Sequence, residues 1–185
     1  MESNATGLPN LLTISRIAII PVVLVFIYIP GQSLKLTAAI IFMLACVTDF
    51  LDGYFARKLD QSSALGRFLD PIADKLLVAG VIVALVSKDV IAGLSVVPAL
   101  VILFREILVS GLREYLAELH VPVPVSKLAK WKTAIQMFAL GALIFDGAMD
   151  SGQVIYIVGM AGLWVAAILT IVTGYDYLKA SLKHF

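Results

Sequence analysis

Four aspartates stand at helical spacings in one short segment of a chain that is otherwise strongly apolar. Residues 49–74 read DFLDGYFARKLDQSSALGRFLDPIAD and contain Asp49, Asp52, Asp70 and Asp74. Because residues three or four apart share one face of a helix, each pair presents its two carboxylates together. A carboxylate at membrane depth is costly unless a cation balances it. The segment therefore predicts a site that binds cations and performs chemistry.

The chemistry of these side chains favours a hard divalent metal ion. Carboxylate oxygens with no paired His or Cys suit Mg²⁺ or Mn²⁺ better than zinc or copper. Four carboxylates can hold two such ions, and two-metal sites stabilise the attacking and leaving oxygens of phosphoryl transfer. The spacing therefore predicts a phosphoryl-transfer site with two divalent ions.

The composition indicates the class of protein that carries this site. Of the 185 residues, 61% are hydrophobic and 15% are charged. These values lie outside the range of soluble domains, so the chain is predicted to be an integral membrane protein. We expect membrane lipids around it and no nucleic-acid partner.

Six apolar runs predict six transmembrane helices in one bundle. Each run is continuous, whereas a membrane-spanning strand would alternate apolar and polar residues. The runs are Leu11–Ile29, Leu36–Phe55, Ile72–Val86, Ile91–Leu112, Trp131–Phe145 and Val154–Thr173. The predicted fold is all-α, with residues 1–185 forming a single membrane-embedded catalytic domain.

The basic residues predict how this bundle is oriented. Of the 14 lysines and arginines, only Lys35 and Lys88 fall on one predicted side, and the other 12 fall on the side of both termini. Basic residues in short loops stay in the cytoplasm, so both termini and the active site are predicted to face the cytoplasm.

The polar residues of the predicted spans are expected to form one layer. Counting at about 1.5 Å per residue places Asp49 and Asp74 roughly 20 Å from the outer surface. Arg16, Arg105 and Lys132 fall at about the same depth on three other spans. We expect an aqueous vestibule there that admits water-soluble groups, while lipid chains reach the layer from the side. Tyr175 and Tyr177 near the end of the last span are typical of interfacial anchors.

The aspartate segment resembles the CDP-alcohol phosphotransferase family. The family signature is DxxDGxxAR, eight further residues, and then GxxxDxxxD. This chain fills every position, with Asp49, Asp52, Gly53, Ala56, Arg57, Gly66, Asp70 and Asp74. The resemblance implies a six-helix enzyme whose four aspartates bind two divalent ions. It also implies that these ions hold the pyrophosphate of a CDP-linked lipid and that Asp74 acts as the general base.

The resemblance also implies which residues bind the lipid donor, CDP-diacylglycerol. They are Asp52, Gly53, Ala56, Arg57 and Gly66 of the signature, with Asn10 and Thr13 near the nucleotide or the interface. For Asn10 and Thr13, helix capping and core hydrogen bonding remain alternative roles. The small residues are also common where membrane helices pack closely.

The rest of the chain is similar to one branch of the family, the bacterial phosphatidylglycerophosphate synthases. The similarity lies in PNLLTISR near the N-terminus, then REILVSGLRE and KWKTAIQM. Members of this branch transfer a phosphatidyl group to sn-glycerol 3-phosphate and release CMP in phospholipid biosynthesis. The resemblance implies a homodimer in the inner (plasma) membrane of a bacterium.

A phosphorylated acceptor needs a cationic pocket, for which the candidates are Arg105, Arg113, Lys130 and Lys132. Arg105 and Arg113 stand eight residues apart, about two helical turns, so we expect them on one face, and arginine suits bidentate phosphate recognition. Glu106 is expected to orient these cations.

Other functions remain as alternatives. Sibling transferases use serine, inositol phosphate or a second phosphatidylglycerol; the basic residues favour a phosphorylated acceptor over serine and leave inositol phosphate open. A cation transporter would need polar residues through the full membrane thickness, whereas the outer halves of the runs are nearly free of ionisable groups. A non-catalytic scaffold would leave four costly carboxylates unexplained.

Overall fold

The computed structural model describes residues 8–59, 64–119, 121, 127–149 and 153–181. Within these ranges every regular element is helical. The six α-helices are α1 (Leu8–Tyr28), α2 (Gln32–Leu59), α3 (Ala64–Ser87), α4 (Val96–Glu118), α5 (Lys127–Asp146) and α6 (Val154–Ser181). A short 3₁₀ turn, Gly93–Ser95, precedes α4. The predicted all-α fold with six helices is confirmed.

Three helical segments of the described chain are each long and apolar enough to cross a membrane: Gly93–Glu118, Leu128–Asp146 and Val154–Lys179. Shorter apolar stretches, Ile17–Tyr28 and Gln32–Thr48, lie in α1 and α2. A 26-residue helix spans roughly 39 Å, which exceeds the hydrocarbon thickness of a bilayer. The chain is therefore a membrane protein.

The helices pack around a core that every one of them supplies. α1 packs against α2 and α3, α4 packs against α3 and α6, and α5 packs against α2, α3 and α6. The largest fully buried apolar side chains include Val23, Phe42, Val81, Leu85, Ile102, Leu140 and Leu163. Large apolar side chains also cover the outside of the bundle, among them Leu44, Val83 and Ile168. An apolar surface of this kind suits a bundle surrounded by lipid.

Small residues bring α5 and α6 close together. A Cβ added to Gly159 would come within 2.9 Å of the Leu143 side chain, and one added to Gly162 would come within 3.0 Å of the Ala139 Cβ. Real Cβ atoms rarely approach other atoms this closely, so a larger residue would push the two helices apart. Close approach through small residues is a common way to join helices in a membrane.

At one end of the bundle, a group that we name the Tyr28 cluster connects α1 to the end of α3. The Tyr28 hydroxyl lies 2.5 Å from Ser87 Oγ, and Lys88 Nζ lies 5.0 Å from the centre of the Tyr28 ring. Lys35, at the start of α2, reaches Gly147 just after α5. These contacts place Lys35 and Lys88 at the same end, as the six-helix topology requires.

Candidate active site

The four aspartates of the signature lie on helical backbone. Asp49 and Asp52 belong to α2, whereas Asp70 and Asp74 belong to α3. The side chains of Asp49, Asp52 and Asp70 lie outside the described residues. The Asp74 side chain is half-buried, and its carboxylate lies within electrostatic range of the Lys132 ammonium. Four carboxylates on two helices provide oxygen donors only, and this donor set fits a divalent metal ion.

Other residues implied by the family resemblance also have side chains outside the described part. They are Asn10, Thr13, Gly53, Ala56, Arg57 and Gly66, and the same holds for Arg16 of the predicted polar layer. Their backbone is helical in α1, α2 or α3. Their roles in binding the donor stay predictions.

A buried group of polar residues, which we name the Arg105 cluster, joins the last three helices. It comprises Arg105 and Glu106 of α4, Lys132 of α5, and Thr173 and Tyr177 of α6. The Lys132 ammonium donates a hydrogen bond to Glu106 Oε1, and Arg105 Nη1 lies 3.7 Å from the same oxygen. One carboxylate therefore faces two cations.

α6 contacts Arg105 through three residues on one face. Arg105 Nη2 donates to Thr173 Oγ1 at 3.2 Å, and the guanidinium carbon lies 5.7 Å from the centre of the Tyr177 ring. Gly174 lies between them, where an added Cβ would come within 3.2 Å of Arg105 Cγ. The guanidinium is therefore held between the α4 carboxylate and the surface of α6.

The charged side chains of this cluster are largely removed from water, so their net charge determines which ligands can bind there. Lys132 is 2% exposed, and the side chains of Arg105 and Glu106 are 14% and 18% exposed. Charges removed from water need a partner of opposite sign. Two cations and one carboxylate leave a net charge of +1 in the cluster. The Asp74 carboxylate acts on this charge from α3. A site of this kind attracts an anionic ligand.

The structure separates the four predicted acceptor-binding residues into two pairs. Arg105 and Lys132 meet at Glu106, whereas Arg113 and Lys130 are exposed. Eight residues along a helix turn about 80° past two full turns, so Arg113 does not share the face of Arg105. Lys130 stands about 200° from Lys132 and cannot face the same way. A role for Arg113 and Lys130 in binding phosphate stays a prediction.

Sequence reasoning placed Glu106 correctly beside the cations but missed two members of the cluster. Thr173 closed the last predicted span and was assigned no role. The sequence predicts an interfacial anchor at Tyr177, yet Tyr177 is 7% exposed and lies under Arg105. Tyr175, for which the sequence predicts either an anchor or a place in the vestibule, is 65% exposed. The i, i+4 spacing of Thr173 and Tyr177 at the depth of the polar layer was the available signal.

Three buried polar atoms around the cluster have no hydrogen-bond partner among the described residues. They are Arg105 Nε, Gln136 Oε1 and Thr170 Oγ1. Gln136 stands one turn after Lys132 on α5, and Thr170 stands one turn before Thr173 on α6. The cluster therefore adjoins further polar groups within the α5–α6 interface.

This chain, with six helices, paired aspartates on α2 and α3 and a buried cationic cluster beside Asp74, matches a known family. The family model described as CDP-alcohol phosphatidyltransferase matches residues 6–172, and the chain belongs to this family. Members of the family are generally dependent on a divalent metal ion.

Three similar relatives share the name CDP-diacylglycerol--glycerol-3-phosphate 3-phosphatidyltransferase. The protein of Rickettsia felis is 53% identical over 181 residues, which cover 97% of each chain. That of Rickettsia prowazekii is 52% identical, again with 97% of each chain covered. The protein of Haemophilus influenzae is 39% identical, with 95% of this chain and 93% of the relative covered.

Proposed function

We propose that this chain transfers the phosphatidyl group of CDP-diacylglycerol to sn-glycerol 3-phosphate and releases CMP. The names of its relatives support this reaction, and the similarity extends over nearly the whole chain. The observation that carries the proposal is the Arg105 cluster, in which two buried cations share one carboxylate close to Asp74. Such a cluster suits the phosphate of the acceptor.

The donor would bind at the signature residues of α2 and α3. Asp49, Asp52, Asp70 and Asp74 would hold two ions, Mg²⁺ or Mn²⁺, which neutralise pyrophosphate charge when bound. The lipid donor would contact Asp52, Gly53, Ala56, Arg57 and Gly66, with Asn10 and Thr13 nearby. Small residues in this set leave room for a bulky ligand beside the helix backbone.

Asp74 would serve as the general base and Arg105 with Lys132 would hold the acceptor. The acceptor hydroxyl attacks the phosphorus that bears the diacylglycerol and gives its proton to the Asp74 carboxylate. The bond from that phosphorus to the CMP oxygen breaks as the new bond forms, so no covalent enzyme intermediate is needed. Glu106 limits the motion of both cations. Exposed Arg113 and Lys130 would draw the anionic acceptor towards the site.

The remaining parts of the proposal concern the setting of the site. The distribution of basic residues supports a site that opens to the cytoplasm, with both termini on that side of a bacterial inner membrane. The acceptor is water-soluble and the donor is a membrane lipid, so a site at the cytoplasmic boundary would reach both. A homodimer is the expected assembly.

The test is incorporation of radiolabelled sn-glycerol 3-phosphate into chloroform-soluble lipid by the purified protein with CDP-diacylglycerol. We expect incorporation that needs Mg²⁺ or Mn²⁺, that EDTA abolishes and that Asp74→Asn reduces by at least about a hundredfold. Asp89→Asn is the matched control, because Asp89 is exposed and has a positive φ of 56° that asparagine also adopts readily.

Other acceptors distinguish the alternatives. CMP release with inositol phosphate or serine but not with sn-glycerol 3-phosphate would reassign the chain to a sibling reaction. Folded protein that releases no CMP with any acceptor would contradict the enzymatic proposal itself.

A further inference from the structure

The side chain of Arg105 is long and flexible, and contacts with α6 restrict it. A long, flexible side chain loses entropy when it binds a ligand, and it loses less if it is already held in the binding conformation. Glu106 alone does not fix the guanidinium, because the 3.7 Å separation from Arg105 Nη1 exceeds a normal hydrogen-bond distance. Arg105 instead donates a direct hydrogen bond to Thr173 of α6.

The Thr173 hydroxyl can only accept from Arg105. It donates its own proton along the helix, to the Leu169 carbonyl at 2.8 Å. Its oxygen is then left to receive Arg105 Nη2 at 3.2 Å. Thr173 is buried, so water does not compete for this bond. The hydroxyl therefore sets the direction of one edge of the guanidinium.

Gly174 and Tyr177 fix the plane of the same group. Without a side chain at residue 174, the Arg105 stem lies directly on the α6 backbone; a Cβ there would stand 3.6 Å from Nε and closer still to Cγ. The Tyr177 ring, 5.7 Å from the guanidinium carbon, is within the range of a cation–π contact. Such contacts are stronger when they are desolvated, as this one is.

The guanidinium retains donors for a ligand. Arginine has five N–H donors, of which one is used by Thr173. Arg105 Nε has no partner among the described residues. Planar donors held in a fixed direction are what bidentate phosphate binding requires.

We propose that Thr173, Gly174 and Tyr177 are positioning residues that hold Arg105 ready for the phosphate of the acceptor. This inference rests on the proposed function, because Arg105 must bind the acceptor for its orientation to matter. All three residues lie beyond residues 6–172, where the family model matches. They also lie outside the aspartate signature of α2 and α3, so they would act on acceptor affinity independently of the metal-binding residues.

The first experiment compares Thr173→Val with Thr173→Ser at saturating CDP-diacylglycerol. Valine keeps the shape and removes the acceptor oxygen, so the KM for sn-glycerol 3-phosphate should rise about five- to tenfold. The kcat and the KM for CDP-diacylglycerol should change by less than about twofold, because neither depends on Arg105 orientation alone. Serine restores the oxygen and should restore the KM. Thr37→Val is the control, since Thr37 makes the same helical bond, to the Ser33 carbonyl, in an exposed position on α2.

A double-mutant cycle with Arg105→Ala separates this inference from the proposed function. If Arg105→Ala leaves the KM for sn-glycerol 3-phosphate unchanged, the proposed acceptor site is wrong. If it raises this KM but Thr173→Val does not, only the positioning role is wrong. Thr173→Val should have no further effect when Arg105 is already alanine. An equal effect in both backgrounds would overturn the inference.

If Thr173→Val fails to fold, two Tyr177 variants test whether α6 positions Arg105. Tyr177→Phe keeps the ring and should keep the KM for sn-glycerol 3-phosphate within about twofold of the original. Tyr177→Leu removes the ring and should raise this KM about threefold or more. Equal KM values for the two variants would contradict the positioning role of Tyr177.

Discussion

The Tyr28 cluster and the Arg105 cluster each place a cation over a tyrosine ring, but in different surroundings. In the first, Lys88 lies 5.0 Å from the ring of Tyr28, whose hydroxyl bonds to Ser87. In the second, Arg105 lies 5.7 Å from the ring of Tyr177 and donates to the hydroxyl of Thr173. Tyr28 is 45% exposed and Tyr177 is 7% exposed. A cation on an aromatic ring is therefore not in itself a sign of function.

Burial and a countercharge distinguish the two clusters. An exposed cation–π contact contributes about 0.5–1 kcal/mol and a desolvated one about 2 kcal/mol or more. The Arg105 cluster also contains a buried lysine whose charge is paired with a carboxylate and not with water, and the cluster keeps a net charge of +1. The Tyr28 cluster is expected to fasten helix ends, whereas the Arg105 cluster is expected to bind a ligand.

Removal of the countercharge should have the largest effect on stability. Glu106→Gln leaves Lys132 and Arg105 buried without their shared carboxylate, which should lower the free energy of unfolding by about 3 kcal/mol. Thermal unfolding in detergent, with and without inorganic phosphate, measures this loss of stability. Phosphate should restore part of the loss by replacing the carboxylate. Glu114→Gln, on an exposed part of α4, is the control. Equal unfolding temperatures for the two variants would refute the role of Glu106 in balancing charge.

Replacing one lysine in each cluster by a neutral residue compares the contributions of the two clusters to acceptor binding and to stability. Lys132→Met should raise the KM for sn-glycerol 3-phosphate about thirtyfold, because a charged hydrogen bond to phosphate contributes about 2 kcal/mol. Lys88→Met should leave this KM unchanged and lower stability by less than about 1 kcal/mol. Steady-state kinetics of the two variants in matched detergent provide the measurement. A similar loss of activity in both would mean that the Tyr28 cluster also serves catalysis.

Loss of the Tyr28 hydroxyl should have a small effect confined to stability. Tyr28→Phe removes the 2.5 Å bond to Ser87 but keeps the ring beneath Lys88. The expected cost is about 0.5–1 kcal/mol of unfolding free energy, since water can replace an exposed hydrogen bond. Thermal unfolding measures the loss of stability. Unchanged values of kcat and KM would show that the variant affects stability alone. A change in either kinetic constant would mean that this end of the bundle is coupled to the site.

The sequence predicted most of the architecture because the bilayer imposes simple rules. Long apolar runs predicted the helices, and counting residues along each run placed Arg105 and Lys132 in one layer with Asp74. The angle around each helix was harder to predict. Spacing of about two turns groups Arg113 with Arg105, but the remaining 80° leaves Arg113 exposed at the edge of the cluster, within electrostatic range of Arg105. The roles of Thr173 and Tyr177 in the cluster could not be predicted, because a threonine hydroxyl or an aromatic ring is unremarkable until its partner is known.

The smallest expected effect is a change in unfolding temperature at two threonines of α6, Thr170 and Thr173. It compares a buried hydroxyl that has a partner with one that has none in the described part of the chain. Thr173 accepts from Arg105, whereas the fully buried Thr170 has an Oγ1 atom with no partner among the described residues. A buried polar atom without a partner lowers stability, so Thr170→Val should raise the unfolding temperature by about 1–3 °C and leave the KM for sn-glycerol 3-phosphate unchanged. Thr173→Val should not raise it, because valine there leaves Arg105 Nη2 without its acceptor. Thermal unfolding of the two variants, measured side by side, tests this prediction.

A lower unfolding temperature for Thr170→Val would mean that a bound water or another group uses this hydroxyl. The polar layer would then extend deeper into the α5–α6 interface than the Arg105 cluster does.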